Sequence, residues 1–281
     1  MNRTWNQALA LLQSNAHLLA VIAGVFLLLP GTLFYVAIPA ELTAMSTQTN
    51  PDPDQVLAVL RAALGPLLIA GLLMFVAQTI GYLAMIALMG DDRPTVGQAL
   101  RRALSSLPTA IGVALVMLLG YFVVAFVALL VMMALIGAGT FIGGEILGGV
   151  LAFIAAVAMM VVIIYLGTRL ILTTPVIALE GVTGPLAVCK RSWALTKSHS
   201  LKIFAFFLLI FVAYFFIAMM LGMVFGLIAG LLGGGAASAL VLGLSNGLVG
   251  AAVAMIFSAI LVAMYGQLAG LSPTTIDQTF G

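Results

Sequence analysis

Charge is scarce in this sequence. Its 281 residues hold ten lysines and arginines and eight aspartates and glutamates, 6% in all. A soluble domain carries roughly 25%, and so few ions cannot cover a water-facing surface. That excludes a water-soluble globular protein. Disordered and nucleic-acid-binding chains need more charge still, so no nucleic acid is expected as a partner. One cysteine, Cys189, excludes an internal disulfide. The two histidines, His17 and His199, have no carboxylate near them in sequence, so neither a metal site nor a cofactor is expected.

What remains is apolar: 64% of residues are hydrophobic, in long continuous runs. A transmembrane β-barrel would show short alternating segments. The runs suit helices, each longer than the roughly 20 residues that cross a hydrocarbon core. They fall at about 17–39, 63–89, 108–136, 148–172, 200–231 and 246–270. The expected fold is therefore all-α: a polytopic membrane protein with six transmembrane helices in one domain, residues 1–281. The first run, His17 to Ile38, is too long for a signal-peptide core and is read as a span.

The bases are sorted. Arg61 is the single base in the loops 40–62 and 137–147, the turn 232–245 and the C-terminal tail. The other nine, from Arg3 to Lys202, lie in the N-terminus, the loops 90–107 and 173–199, and the helix ends beside them. The excess of bases marks the cytoplasmic side, so both termini are expected there. Glu41, Asp52 and Asp54, among prolines, suit an irregular external loop.

The chain also matches itself at an offset of 91 residues. Ile86, Ala87, Leu88 and Gly90 recur as Ile177, Ala178, Leu179 and Gly181. Pro94, Ala103 and Leu104 recur as Pro185, Ala194 and Leu195, and Gln7-Ala8-Leu9 recurs as Gln98-Ala99-Leu100. Repeats 1–91, 92–182 and 183–273 would each be an amphipathic cytoplasmic helix followed by a membrane hairpin. Such a helix lies in the interface, apolar side toward the bilayer and bases toward anionic headgroups. In the second unit Val96, Leu100, Ala103, Leu104 and Leu107 form the apolar side. In the third, Leu186, Cys189 and Trp193 share a face. Asp91-Asp92 before Arg93-Pro94 reads as a turn with a helix cap. The alternative is a short loop with topology-setting charges and no repeat.

Polar chemistry at membrane depth is confined to a few residues. Arg169 falls within one to two turns of the end of a span, where a charge is costly and is usually paired or snorkelling. Glu180 is the one acid in the adjoining loop, so an Arg169–Glu180 or Arg169–phosphate anchor is expected. The functional alternative is a site for an anionic headgroup or substrate. The equivalent position one repeat earlier is Gln78, also inside a span. Gly222, Gly226 and Gly230, and Gly243 with Gly247, are small-residue steps that suit helix packing within the chain. Phe211, Phe215, Phe216 and their neighbours suit a lipid-facing surface. No Walker loop, HExxH, GxSxG or CxxC is present, and no two acid–base groups face each other at depth. An enzyme is not expected.

The most polar stretch carries a resemblance. Arg169, Thr174-Pro175-Val176-Ile177-Ala178-Leu179-Glu180-Gly181, Gly184-Pro185, and Lys190-Arg191-Ser192-Trp193-Ala194-Leu195-Thr196-Lys197 lead into a span. The pattern resembles the glycerophosphoryl diester phosphodiesterase membrane domain family and related inner-membrane proteins, with Trp5–Pro30 fitting loosely. The resemblance implies a bacterial inner-membrane location. It implies no phosphodiesterase activity, since the soluble catalytic domain and its metal-binding acids have no counterpart here. It also singles out Arg169, Glu180, Arg191, Ser192, Trp193 and Lys197. Arg191 and Lys197 could hold phosphates, Ser192 could donate a hydrogen bond, and Trp193 could anchor at the interface. The expected function is a non-enzymatic membrane protein that binds lipid, another amphiphile or a protein partner at its cytoplasmic face. Membrane lipids are the expected partners, with a homo-oligomer or a membrane partner protein beside them. The alternative is a transporter or exporter of a small amphiphilic or peptide-like compound, using Gln78 and Arg169 as a polar pair.

Overall fold

The computed structural model describes residues 2–38, 42, 52–90, 92, 94–197, 199–233 and 235–270. Of these, 92% are helical and none forms a strand. Helix α1 (Asn2–Ala23) passes through a π-helical turn (Gly24–Leu28) into α2 (Leu29–Val36). There follow α3 (Pro53–Leu88), α4 (Val96–Leu170), α5 (Thr173–Pro175) with a second π-helical turn (Val176–Glu180), α6 (Pro185–Thr196), α7 (Ser200–Leu231) and α8 (Gly235–Leu268). Five stretches among the described residues are long and apolar enough to cross a membrane: Arg3–Val36, Pro53–Leu88, Val96–Glu180, Ser200–Leu231 and Gly235–Leu268.

Helix α4 is not one rod. Gly143 and Gly144 leave helical geometry, with Gly144 at φ 72°, ψ −170°, a conformation essentially confined to glycine. A Cβ on Gly139 would stand 2.9 Å from the Gly148 Cα, and one on Gly167 would stand 3.6 Å from the Tyr121 hydroxyl. Residues before the break therefore pack on residues after it, and the two arms run antiparallel. The stretch 137–147, expected as a loop, is helical on both sides of the break. In apolar surroundings a helix satisfies its own backbone groups and a loop does not.

The expected external loop is likewise helical from Pro53. Asp52 caps it, its Oδ1 accepting from the Asp54 N–H at 3.1 Å, and proline at the first position lacks the N–H that would be orphaned there. Glu41 of that loop, and Asp91 and Arg93 of the expected cap, lie outside the described residues. The cap seen on α4 is a reciprocal pair. The Thr95 N–H donates to Gln98 Oε1 at 3.0 Å, and the Gln98 N–H donates to Thr95 Oγ1 at 3.4 Å. Residues 96–107 are continuous with the membrane helix, and they bury Ala99 and Ala103 while Leu104 is exposed. Of the expected apolar side, Ala103 is buried, Val96, Leu100 and Leu107 are half-buried and Leu104 is exposed, so protein contact is closest at the alanines, whose small side chains allow close approach.

The described chain divides into two compact units, residues 1–107 with 209–281, and residues 108–208. In the first unit, α1–α2, α3 and α8 pack together. Leu19, Leu83, Met85, Ile86, Ala254 and Ile260 are its fully buried core. Helices α1–α2 and α8 run antiparallel. Thr4 Oγ1 bonds Gln267 Oε1 at 2.9 Å near one end, and Thr32 Oγ1 donates to the Gly243 carbonyl at 3.2 Å near the other. Gly243 and Gly247 make this seam possible: a Cβ on Gly247 would sit 2.7 Å from Thr32 Oγ1 and 2.9 Å from the Leu28 carbonyl oxygen. Gly222, Gly226 and Gly230 make no such seam. A Cβ on any of them meets nothing within 4 Å among the described residues. The expectation of intramolecular packing holds for the α8 pair and fails for the α7 triplet, whose edge has no helix laid against it.

The second unit is the α4 hairpin from Pro108, α5, α6 and the start of α7. Its α6 is fixed against α4 at its first turn. Thr109 Oγ1 donates to the Thr183 carbonyl at 3.1 Å, and the Pro185 ring lies against Gly112. Phe206 is buried at the start of α7, while Phe211, Phe215 and Phe216 farther along are exposed, as a lipid-facing surface requires.

Candidate functional site

The last turn of α4 leaves backbone carbonyls without helical partners, as every helix end does. Here side-chain hydroxyls satisfy them. Ser192 Oγ, on α6, donates to the Arg169 carbonyl at 2.9 Å, and Thr196 Oγ1, one turn on, shares its proton between that carbonyl at 3.2 Å and the Ser192 carbonyl at 2.9 Å. Thr173 Oγ1 donates to the Leu170 carbonyl at 2.9 Å. The inward stripe of α6 is thus Val188, Ser192 and Thr196, all fully buried. The face shared by Leu186, Cys189 and Trp193 is the one expected toward the bilayer. Leu186 is exposed, Trp193 is 37% exposed and Cys189 is half-buried. So α6 docks on the protein by its small and polar face and turns leucine and tryptophan outward. Burial raises the Cys189 thiol above its ordinary range, which keeps it protonated and slow to react at neutral pH.

Over this joint lies Arg169, only 7% exposed. Its Nη2 donates to the Tyr165 hydroxyl at 2.8 Å, one turn back on the same helix. Its Cζ stands 5.0 Å from the Tyr165 ring centroid and 5.2 Å from the Trp193 ring centroid. The two rings meet edge to face, 5.9 Å apart at 88°. The guanidinium is therefore held by two aromatic faces, a cation–π arrangement worth about 0.5–2 kcal/mol per ring. Its Nε and Nη1 are buried and have no hydrogen-bond partner among the described residues.

The expected Arg169–Glu180 anchor is not formed. Glu180 instead takes the Arg191 Nε at 2.9 and 3.1 Å, a side-on pair near the surface. The π-helical turn and Gly181 at φ 66° deliver Glu180 to α6 and away from the end of α4. Ser192 was expected to donate to a ligand, but it is spent on the Arg169 carbonyl. Lys197 is exposed at the end of α6. Gln78 belongs to the first unit, where it lines a cavity of about 280 Å³. The structure thus brings Arg169, Ser192 and Trp193 together, pairs Glu180 with Arg191, and places Gln78 in a different site. Tyr165 and Thr196 were missed. Their signal was spacing: Tyr165 lies four residues before Arg169, and Thr196 four after Ser192, each on one helix face.

Among the described residues no cluster of three metal-ligating side chains occurs. The assembly around Arg169 is a cation between two aromatic rings, with the hydroxyls of Tyr165, Ser192 and Thr196 beside it. No curated protein and no solved structure matches the chain. One family profile matches residues 53–271. That match takes in the whole Arg169–Lys202 motif and most of the helical bundle, and it leaves out Trp5–Pro30. The chain is a multi-pass membrane protein belonging to the family described as the membrane domain of glycerophosphoryl diester phosphodiesterase.

Proposed function

We propose that this is a non-enzymatic protein of the bacterial inner membrane that holds the anionic headgroup of a lipid on Arg169. The observation that carries the reading is the pair of buried guanidinium nitrogens, Nε and Nη1, without partners. A buried cation with unfilled donors costs several kcal/mol, and ring faces do not replace hydrogen-bond acceptors. A lipid phosphate supplies both charge and acceptors. The cover can open: Tyr165 and Trp193 are 42% and 37% exposed, so their outer faces are not locked in a core. Lys190 and Lys197 lie exposed on the same helix and would draw anionic lipid to it.

The proposed topology is six crossings with both termini in the cytoplasm. The antiparallel arms of α4 support counting its apolar stretch twice. The Thr4–Gln267 contact brings the start of α1 and the end of α8 to one end of their unit, which supports an even number of crossings. The nine sorted bases select the cytoplasm for that end. A threefold 91-residue repeat is part of the proposal. The three equivalent stretches 5–14, 96–105 and 187–196 are all helical.

The test is native mass spectrometry of the full-length protein released from nanodiscs of phosphatidylcholine with phosphatidylglycerol. Wild type should retain phosphatidylglycerol, and Arg169→Ala should lose most of it with little change in thermal stability. Retention in the Arg169→Ala protein, or loss of stability alone, would make Arg169 a structural anchor and end the reading.

A further inference from the structure

A second polar site lies in the first unit, at the cavity that contains Gln78. Its polar lining is Tyr35 from α2, Gln78 and Tyr82 from α3, and Asn246 from α8, and the rest of the wall is apolar side chains and glycines, Phe34 and Gly250 among them. None of the lining residues is charged. Gln78, Tyr35 and Tyr82 make no side-chain hydrogen bond to any other described residue. Asn246 uses its amide N–H on the Leu242 carbonyl at 2.9 Å, which leaves its carbonyl oxygen for another donor. Two carboxamides and two phenols therefore converge with most of their hydrogen-bonding capacity unspent.

The depth of this cavity gives the arrangement its meaning. Exposed apolar side chains run along α1–α2 from Leu18 to Val36, along α8 from Leu240 to Ile256, and along α3 from Leu57 to Phe75. Tyr35 and Asn246 fall inside that lipid-facing belt, and Gln78 lies one turn beyond its end on α3. Within hydrocarbon an unpaired amide or hydroxyl has no water to turn to, and each costs several kcal/mol. Asn246 and Gly250 are exposed, so the cavity opens sideways at membrane depth. About 280 Å³ is near the low end of ligand pockets, roughly 300–1,000 Å³. That is room for a lipid's polar head and not for its chains.

We propose that this cavity binds the head of an uncharged lipid, one that offers hydroxyl and ester groups and carries no phosphate. An ester carbonyl can accept from the Gln78 amide or a tyrosine hydroxyl, and a lipid hydroxyl can donate to Asn246 or Gln78. A phosphate has no cation to meet here, and desolvating it would not be repaid. The site is independent of Arg169, which belongs to the other unit.

The experiment uses full-length protein in phosphatidylcholine nanodiscs and a photoactivatable dioleoylglycerol. Wild type should be labelled, with the cross-links on α2, α3 and α8. Unlabelled dioleoylglycerol should compete, while phosphatidylglycerol and a short-chain water-soluble glyceride should not. Gln78→Leu combined with Tyr82→Phe should cut labelling about tenfold. Gly250→Leu should do the same by filling the space, since a Cβ there meets nothing within 4 Å. Arg169→Ala should leave labelling unchanged. Equal competition by phosphatidylglycerol or the short-chain glyceride, absence of labelling, or full labelling of both cavity variants would overturn the proposal. Because the Arg169 reading is measured with phosphatidylglycerol and a different residue, the two can fail separately.

Discussion

Two arginines flank one turn of the second unit and live in opposite surroundings. Arg169 is buried between two aromatic rings with two of its nitrogens unfilled. Arg191 reaches across a half-exposed surface to a carboxylate. The same side chain is thus buried with donors unfilled in one place and is a local clasp in the other. What separates them is the company each keeps: tyrosine and tryptophan shield a guanidinium without neutralising it, whereas Glu180 offsets the charge of one.

Substitutions can break or sharpen this contrast. The largest effect belongs to Arg169→Ala, which should lower phosphatidylglycerol retention tenfold or more, about 1.4 kcal/mol per tenfold, as read by native mass spectrometry. Arg169→Lys should fall between, because an ammonium keeps the charge and loses the planar stacking. Next comes the joint beneath. Ser192→Ala with Thr196→Ala removes two hydroxyls from one carbonyl and should cost about 1–3 kcal/mol, seen as a lower melting temperature in detergent. Glu180→Gln should cost at most about 1 kcal/mol, and less as salt rises, because the pair is partly exposed. Parallel melts at low and high salt measure it. Smallest is Ser258→Ala in the first unit. The Ser258 hydroxyl is fully buried and unpartnered among the described residues, so its removal should be neutral or stabilising by up to about 1 kcal/mol, raising the melting temperature slightly.

Much of this was legible in the sequence because the bilayer constrains so strongly. Scarcity of charge and long apolar runs were enough for the helical membrane class, and the family match takes in the Arg169–Lys202 motif whole. Pairing was harder to read. Arg169 and Glu180 are near in sequence and opposite in charge, yet the wide π turn carries Glu180 toward α6. The apolar face of α6 was legible, with Leu186 and Trp193 turned outward, but hydrophobicity says nothing of which polar side chains dock the helix on the protein. Ser192 and Thr196 take that part while Leu186 faces out, because in lipid the apolar side chains need no protein cover. Glycine spacing could not distinguish the α8 seam from the open α7 edge, since both show the same four-residue step and only tertiary neighbours differ. The cavity in the first unit collects Tyr35, Gln78, Tyr82 and Asn246 from three distant segments. No local pattern announces such a convergence.

The glycine break in α4 bears on how the chain enters the bilayer. Its crest, from Gly137 to Leu147, carries one carboxylate, Glu145, and no base. Little hydration has to be stripped from so lightly ionised a crest as it passes through hydrocarbon. The break also turns the second arm back along the first, so that Gly167, two residues before Arg169, comes level with Tyr121.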